Sequence, residues 1–176
     1  METLGSKTVY INPWMEVRED NVRRSDGSPG IFGVVHCPDF VMLVPMDGDR
    51  LHLVEQYRYA QRRRCWEFPA GTLPERAVGD PLELAHRELR EETGLRAGRL
   101  IRLGAVDTAP GCMAQRGEIF LATELTEGEP DREPEEQDMR SAWFDRAVVE
   151  RMIRAGEITD SQTLAAYSLL LLHERG

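Results

Sequence analysis

The stretch HRELREETGL (residues 86–95) places three glutamates, Glu88, Glu91 and Glu92, at i, i+3 and i+4. On a helix that spacing puts the three carboxylates on one face. Arg87 can reach Glu91 four residues on, but Arg87 and Arg90 do not neutralise all three acids. Like charges this close raise one another's pKa unless something positive lies between them. A tight set of oxygen ligands suits a hard divalent cation, Mg²⁺ or Mn²⁺, that also contacts substrate phosphates. A solvated acidic helix face laced with salt bridges is the other reading of the same residues. The surroundings favour the metal, because a glycine-bearing loop (PAGT, 69–72) precedes the acids and Gly94-Leu95 follows them.

The elements that must hold these residues can be read from periodicity and punctuation. Asp80 is expected as N-cap with Pro81 at the first helical position, and Gly94 stops the helix, which gives 81–93 with Leu82, Ala85 and Leu89 inward. Upstream, 8–20 and 30–37 read as strands of a hairpin about the SDGSPG turn, an N-terminal hairpin spanning roughly 8–37. FVMLVPM (40–46) and LHLVEQY (51–57) flank an Asp-Gly turn, a second hairpin, and QRRRCWEFPAG leads on as a loop. Strands return at 99–107 and 117–124. The acidic run EGEPDREPEEQD (127–138) then precedes a short SAWF strand, and Asp145 and Asp160 cap closing helices 146–155 and 161–173. This order predicts an α+β protein, a mixed sheet between helices, in one domain over 1–176.

The chain has 176 residues and a net charge of −9, which disfavours a basic nucleic-acid groove. Cys37, Cys65 and Cys112 share no CxxC spacing, so reduced thiols in a cytoplasmic setting are expected, without zinc or disulfides. METLGSKTVY lacks the apolar core of a signal peptide, and LLLL (169–172) is too short to span a bilayer. His36, His52, His86 and His173 show no ligand spacing and read as structural. The run Arg62-Arg63-Arg64 reads as a solvated loop, and no thiol nucleophile is expected at Cys65 or Cys112.

Arg87-Glu88-Leu89-Arg90-Glu91-Glu92-Thr93-Gly94-Leu95 resembles the second half of the Nudix box, and Glu67-Phe68-Pro69-Ala70-Gly71 resembles the segment that opens it. The resemblance covers the chain from about Trp14 to the last helix. It implies a Nudix fold and metal-dependent hydrolysis of a nucleoside diphosphate linked to another moiety. The box spans 71–95, two residues longer than usual, and the family's first box glutamate has no clean equivalent; Glu75 and Glu83 are the substitutes at hand.

Within the family the chain is most similar to the ADP-ribose pyrophosphatases, through Pro110 fifteen residues beyond Leu95 and through Gln56-Tyr57-Arg58 with Glu67 nine residues on. That resemblance implies Arg58 and Glu67 at the substrate diphosphate, and Trp14 and Phe32 as an aromatic pair stacking on adenine across a swapped homodimer. Core packing of the N-terminal hairpin is the alternative for the two aromatics, and a surface strand charge the alternative for Arg58. Ala70 (by its carbonyl), Glu88, Glu91 and Glu92 are implied metal ligands, Glu91 also catalytic, with Gly71, Arg87 and Gly94 structural in the box. The later loop supplies a catalytic base in the subfamily. Its usual position falls on Gln137, which cannot accept a proton in that role, so Glu136 is the expected base and Glu118 a weaker candidate. Cleavage of ADP-ribose, or of another nucleotide sugar or dinucleotide, and a nucleotide sensor without turnover are the readings that remain.

Overall fold

The computed structural model describes residues 1–73, 79–132 and 134–176, with Glu135 described by its backbone only. The expected Glu75 therefore lies outside the described residues. The chain runs β1 (Glu2–Ile11), β2 (Glu16–Arg23), β3 (Pro29–His36), β4 (Phe40–Asp47), β5 (Arg50–Arg58), β6 (Arg63–Glu67) and β7 (Ala70–Thr72). It continues through α1 (Pro81–Thr93), β8 (Arg96–Asp107), β9 (Met113–Ala114), β10 (Arg116–Thr126), β11 (Arg140–Asp145), α2 (Arg146–Ala155) and α3 (Ser161–Arg175).

Among the described residues these strands form a seven-stranded sheet, ordered β11-β5-β4-β10-β8 with β6 and β7 attached to β5 and β4, and a four-stranded sheet, β1-β2-β3-β9. The larger sheet is mixed: β10 runs parallel to β4 and antiparallel to β8. Its central strands are apolar on both faces, as a sheet covered by helices requires. Along β4, Phe40, Met42 and Val44 enter one core with Met152 of α2 and Ala166 and Leu170 of α3. The alternate residues Val41 and Leu43 enter a second core with Leu84, Ala85 and Leu89 of α1. The period of two along β4 therefore sorts the helices onto opposite faces.

The β4–β5 hairpin is short-lived. Only Met46↔Leu51 and Asp47↔Arg50 pair before the strands part. β6 then takes the free edge of β5 and β7 that of β4, with Phe68-Pro69 crossing between them. The residues expected as a loop are thus two strands, anchored by Leu43 N–H to the Pro69 carbonyl at 2.8 Å and Phe68 N–H to the buried Thr163 hydroxyl of α3 at 3.1 Å.

Helix α1 begins and ends where its punctuation predicts. Asp80 accepts from Leu82 N–H at 2.9 Å, and Gly94 adopts the left-handed conformation (φ 76°) with its N–H on the Arg90 carbonyl. One inward assignment is corrected: Leu82 is 43% exposed, and Leu84 takes its place in the core with Ala85 and Leu89. Leu82 shares its direction with Leu89 seven residues on, but it lies in the first turn, where that flank of the helix is left exposed.

The N-terminal region also differs. The run 8–20 divides at Asn12–Met15, where the Asn12 carboxamide accepts from the N–H groups of Trp14 and Met15, so β1 turns back on β2. The expected β2–β3 hairpin is present and β1 is added to it. Asp160 caps α3 through Thr163 N–H, whereas Asp145 makes no side-chain cap bond. No described helix is long and apolar enough to cross a membrane.

A Cβ at Gly94 would lie 2.1 Å from the Gly128 carbonyl oxygen, so this glycine serves both the left-handed turn and the approach of the 127–138 segment. Gly156 ends α2 with a similar φ of 72° and open space around it. Gly94→Ala should cost ~3 kcal/mol or more, and Gly156→Ala only the ~1 kcal/mol of backbone strain. Denaturant unfolding of the two variants checks the difference; equal losses would remove the packing role of Gly94.

Candidate functional site

Glu88 and Glu92 are buried, 7% and 1% exposed, and Glu91 is intermediate. The acids are thus not a solvated surface stripe. Glu92 accepts from Ala70 N–H at 3.1 Å, joining α1 to the first residue of β7. Glu88 lies so close to β7 that a Cβ at Gly71 would stand 2.1 Å from its Oε2. Gly71 is therefore the cradle for this carboxylate, required by close approach. Arg87 donates to Glu88 Oε1 at 3.0 Å, pairs with Glu91 at 3.5 Å as the i,i+4 spacing predicts, and reaches the Thr72 carbonyl at 3.4 Å. Arg90 holds the other Glu91 oxygen at 3.2 Å.

Burial pushes the Glu88 carboxyl up to about 7, with the charges of Glu91 and Glu136 adding and Arg87 opposing. Burial raises Glu92 well above the carboxylate range, followed by the charges of Glu136 and Glu88; the Ala70 N–H and Arg58 pull the other way. Glu136 therefore stands within electrostatic reach of both buried acids. It belongs to a 3-10 turn, Pro134–Glu136, before β11. Gln137 instead donates its carboxamide N–H to the Arg132 carbonyl at 2.8 Å and is exposed. Glu118 is ion-paired to Arg102 across β10 and β8. Glu83 lies exposed in the first turn of α1.

Arg58 and Glu67 form an ion pair at the ends of β5 and β6, Arg58 Nε lying 3.0 Å from each Glu67 oxygen. Glu67 is buried and Arg58 half-exposed. They line a cleft of about 660 Å³ whose far wall is Thr159 to Gln162 at the start of α3. Glu67 of the cleft stands three residues before Ala70, whose N–H bonds Glu92, so one short segment borders both the cleft and the buried acids.

Trp14 and Phe32 are not brought together within one chain. Glu16 pairs with His36, and Phe32 lies four residues further along β3, so roughly 13 Å of strand separates Phe32 from the rung beside Trp14. Both are exposed, at 71% and 38%, so the alternative of core packing is excluded by their surroundings.

Several contributors were not singled out in the sequence: Thr163, Arg64 and Arg132. Arg64 belongs to a run read as solvated, yet it donates to Glu55 and Asp138 at 2.8 and 2.7 Å. Arg132 donates to the carbonyls of Glu92 and Met139. Its only signal in the sequence is being the one basic residue in the acidic run 127–138.

Among the described residues no three Cys, His, Asp or Glu side chains converge as a metal-ligand set. The arginines hold Glu88 and Glu91 turned toward themselves. The donors nevertheless fit a hard divalent cation, because two buried carboxylates with raised pKa values lack full compensation and every candidate atom is oxygen. This crowding has a pH signature. Glu88 rises from 4.5 to about 7, so the folded state binds more protons and stability falls as pH climbs through about 7. His52 has the opposite sign: burial, aided by Arg132, lowers it to about 4, so stability falls as pH drops below 6.5. With EDTA present the protein should gain stability as pH falls from about 8 to 6.5, and below that the continuing gain at Glu88 and the loss at His52 should offset each other to about pH 4.5. Thermal unfolding from about pH 8 to 4.5 checks it; Glu88→Gln should shrink the gain and expose the His52 loss below pH 6.5, and an unchanged profile would refute the assignment.

Residues 36–167 match the model of the NUDIX domain, and residues 1–35 that of the nucleoside diphosphate sugar hydrolase N-terminal domain. An ADP-ribose pyrophosphatase of Mycobacterium tuberculosis is 39% identical over 93% of this chain and 80% of its own. One of Bacillus subtilis is 28% identical over 98% and 94%. In structure the chain is similar to an ADP compounds hydrolase, with TM-score 0.84, 23% identity, and 99% and 95% of the two chains covered. With the acids of the box buried against β7 and the family model covering most of the chain, this protein belongs to the Nudix hydrolase family.

Proposed function

We propose that the protein hydrolyses the diphosphate bond of ADP-ribose or a close ADP-sugar, giving AMP and a sugar phosphate. The observation that supports this most is that the Arg58–Glu67 cleft and the buried acids Glu88 and Glu92 meet the two ends of one short segment, Glu67 to Gly71. The 39% identity to an ADP-ribose pyrophosphatase over 93% of the chain supports an adenine nucleotide as substrate. Another nucleotide sugar is the second reading, favoured by the match of residues 1–35 to the N-terminal domain of nucleoside diphosphate sugar hydrolases.

In this reading Glu88, Glu92 and the Ala70 carbonyl hold Mg²⁺ or Mn²⁺, with Glu91 serving a further ion. A divalent cation there offsets phosphate charge and lowers the pKa of a water. Arg58, oriented by Glu67, binds the diphosphate through charge-assisted hydrogen bonds. Glu136 accepts the proton of the attacking water, whose oxygen joins one phosphorus as the bridging P–O bond breaks. Arg87 orients Glu88 and Glu91 and does not touch substrate.

The whole chain, 1–176, works as one catalytic unit in the cytoplasm, and its partners are small nucleotides and a second copy of itself, not nucleic acid or membrane. The homodimer is supported by the N-terminal sheet. Val9, Tyr10, Ile11, Trp14, Ile31 and Phe32 are all exposed there, and every residue of β1 is exposed. Apolar surface concentrated in this way marks an interaction face. A partner chain would also bring a second aromatic opposite Trp14 or Phe32 for adenine stacking.

A panel of ADP-ribose, ADP-glucose, GDP-mannose, NADH and diadenosine polyphosphates, assayed with Mg²⁺, Mn²⁺ or EDTA, tests the reading. Metal-dependent AMP release concentrated on ADP-ribose is expected, and preference for another compound moves the substrate within the family. Glu92→Gln should abolish metal affinity and reduce turnover by ~10³-fold or more while the protein folds, since it removes the charge of a buried ligand at constant shape. Full activity in that variant would refute the metal site, and tight ADP-ribose binding without turnover by the wild type would point to a sensor.

A further inference from the structure

The segment between β10 and β11 is tied to the end of the acid helix by a set of bonds centred on one side chain. A helix leaves its last carbonyls without intrahelical partners. In α1 those of Glu91 and Glu92 are taken by this segment: Asp131 N–H donates to the Glu91 carbonyl at 3.0 Å and Arg132 Nε to the Glu92 carbonyl at 3.2 Å. The same guanidinium donates to the Met139 carbonyl and, at 3.4 Å, to the Ser141 hydroxyl. The Arg132 carbonyl accepts from Gln137, and Met139 N–H donates to the Glu136 carbonyl at 2.8 Å. From the far side Arg64 holds the Asp138 carboxylate and carbonyl at 2.7 and 2.8 Å.

We propose that Arg132 is a positioning residue for hydrolysis: by bridging the end of the acid helix to Met139 and Ser141, with Gln137 as a brace, it fixes the turn that carries Glu136 beside Glu88 and Glu92. The proposal rests on Glu136 being the base, as argued above. Gln137 acquires a role from it as well, since its amide donor closes the brace and a carboxylate in its place has no proton to give the Arg132 carbonyl.

Turnover of ADP-ribose with Mg²⁺ is compared for wild type, Arg132→Ala, Glu136→Gln and the double variant, with thermal unfolding and Mn²⁺ titration of each. Glu136→Gln should lower kcat by ~10²-fold or more. Arg132→Ala should lower kcat by ~10-fold or more, leave KM within about threefold, and retain Mn²⁺ binding. In the double variant the effect of Arg132→Ala should vanish, because a residue acting through another has nothing left to act on. Losses that multiply, or an Arg132→Ala enzyme with unchanged kcat, would overturn the positioning role while leaving the base intact. Wild-type kcat in Glu136→Gln would instead remove the base, and the proposal with it. If Arg132→Ala does not fold, Arg132→Lys, which keeps the charge but cannot span three acceptors, replaces it in the same cycle with an intermediate loss expected.

Discussion

Burial of two like-charged carboxylates, Glu88 and Glu92, is the constraint around which the rest of this structure is arranged. Desolvating an ionised carboxylate is costly unless it is paired or bonded. Here the compensation is deliberately partial: one backbone N–H for Glu92, one arginine for Glu88, and a half-exposed Arg58 further off. A fully neutralised pair would have nothing left for a cation and a diphosphate. The surrounding elements keep the acids in place while leaving them under-compensated. β7 has no side chain at Gly71 to displace Glu88, and the crossover at Phe68-Pro69 is pinned from both cores by Leu43 and Thr163.

The opening of the β4–β5 hairpin is what makes room for this. Had β4 and β5 stayed paired, neither β6 nor β7 would have an edge to join, and Glu67 and Gly71 would not stand on opposite sides of one crossover. The same division connects the site to both helical layers. α1 supplies the acids from one face of the sheet, and α3 supplies the far wall of the Arg58 cleft from the other. The N-terminal sheet stands apart from this arrangement; β9, from the β8–β10 connection, joins its edge at β3 through two residue pairs.

The parts legible in the sequence are those set by local chemistry. Asp80, Pro81 and Gly94 bound α1 because caps and left-handed stops act within a turn, and the i, i+3, i+4 spacing of the glutamates fixes their shared face. What was not legible depends on contacts distant along the chain. Whether those glutamates face solvent or protein is decided by β7 lying over them, and QRRRCWEFPAG becomes strand only because the parting hairpin offers it two edges. Arg64 reads as part of a solvated run, and Arg132 draws no reading at all, because their acceptors, Asp138 and the carbonyls of Glu92 and Met139, are brought by folding.

If Glu136 is the base, as proposed, the acid stands one residue before its usual place at 137, and the turn must be set to suit it. In a 3-10 turn successive side chains are about 120° apart, so moving a carboxylate back by one residue aims it elsewhere unless the turn also rotates. A loop held only by its ends would rotate freely and leave Glu136 unaimed most of the time. Here the segment is held along its length, by Asp131 and Arg132 on α1, Gln137 on Arg132, and Asp138 on Arg64. The amide at 137 is one of these holds, so in the proposed reading the residue that cannot be a base helps to fix the turn that carries its neighbour.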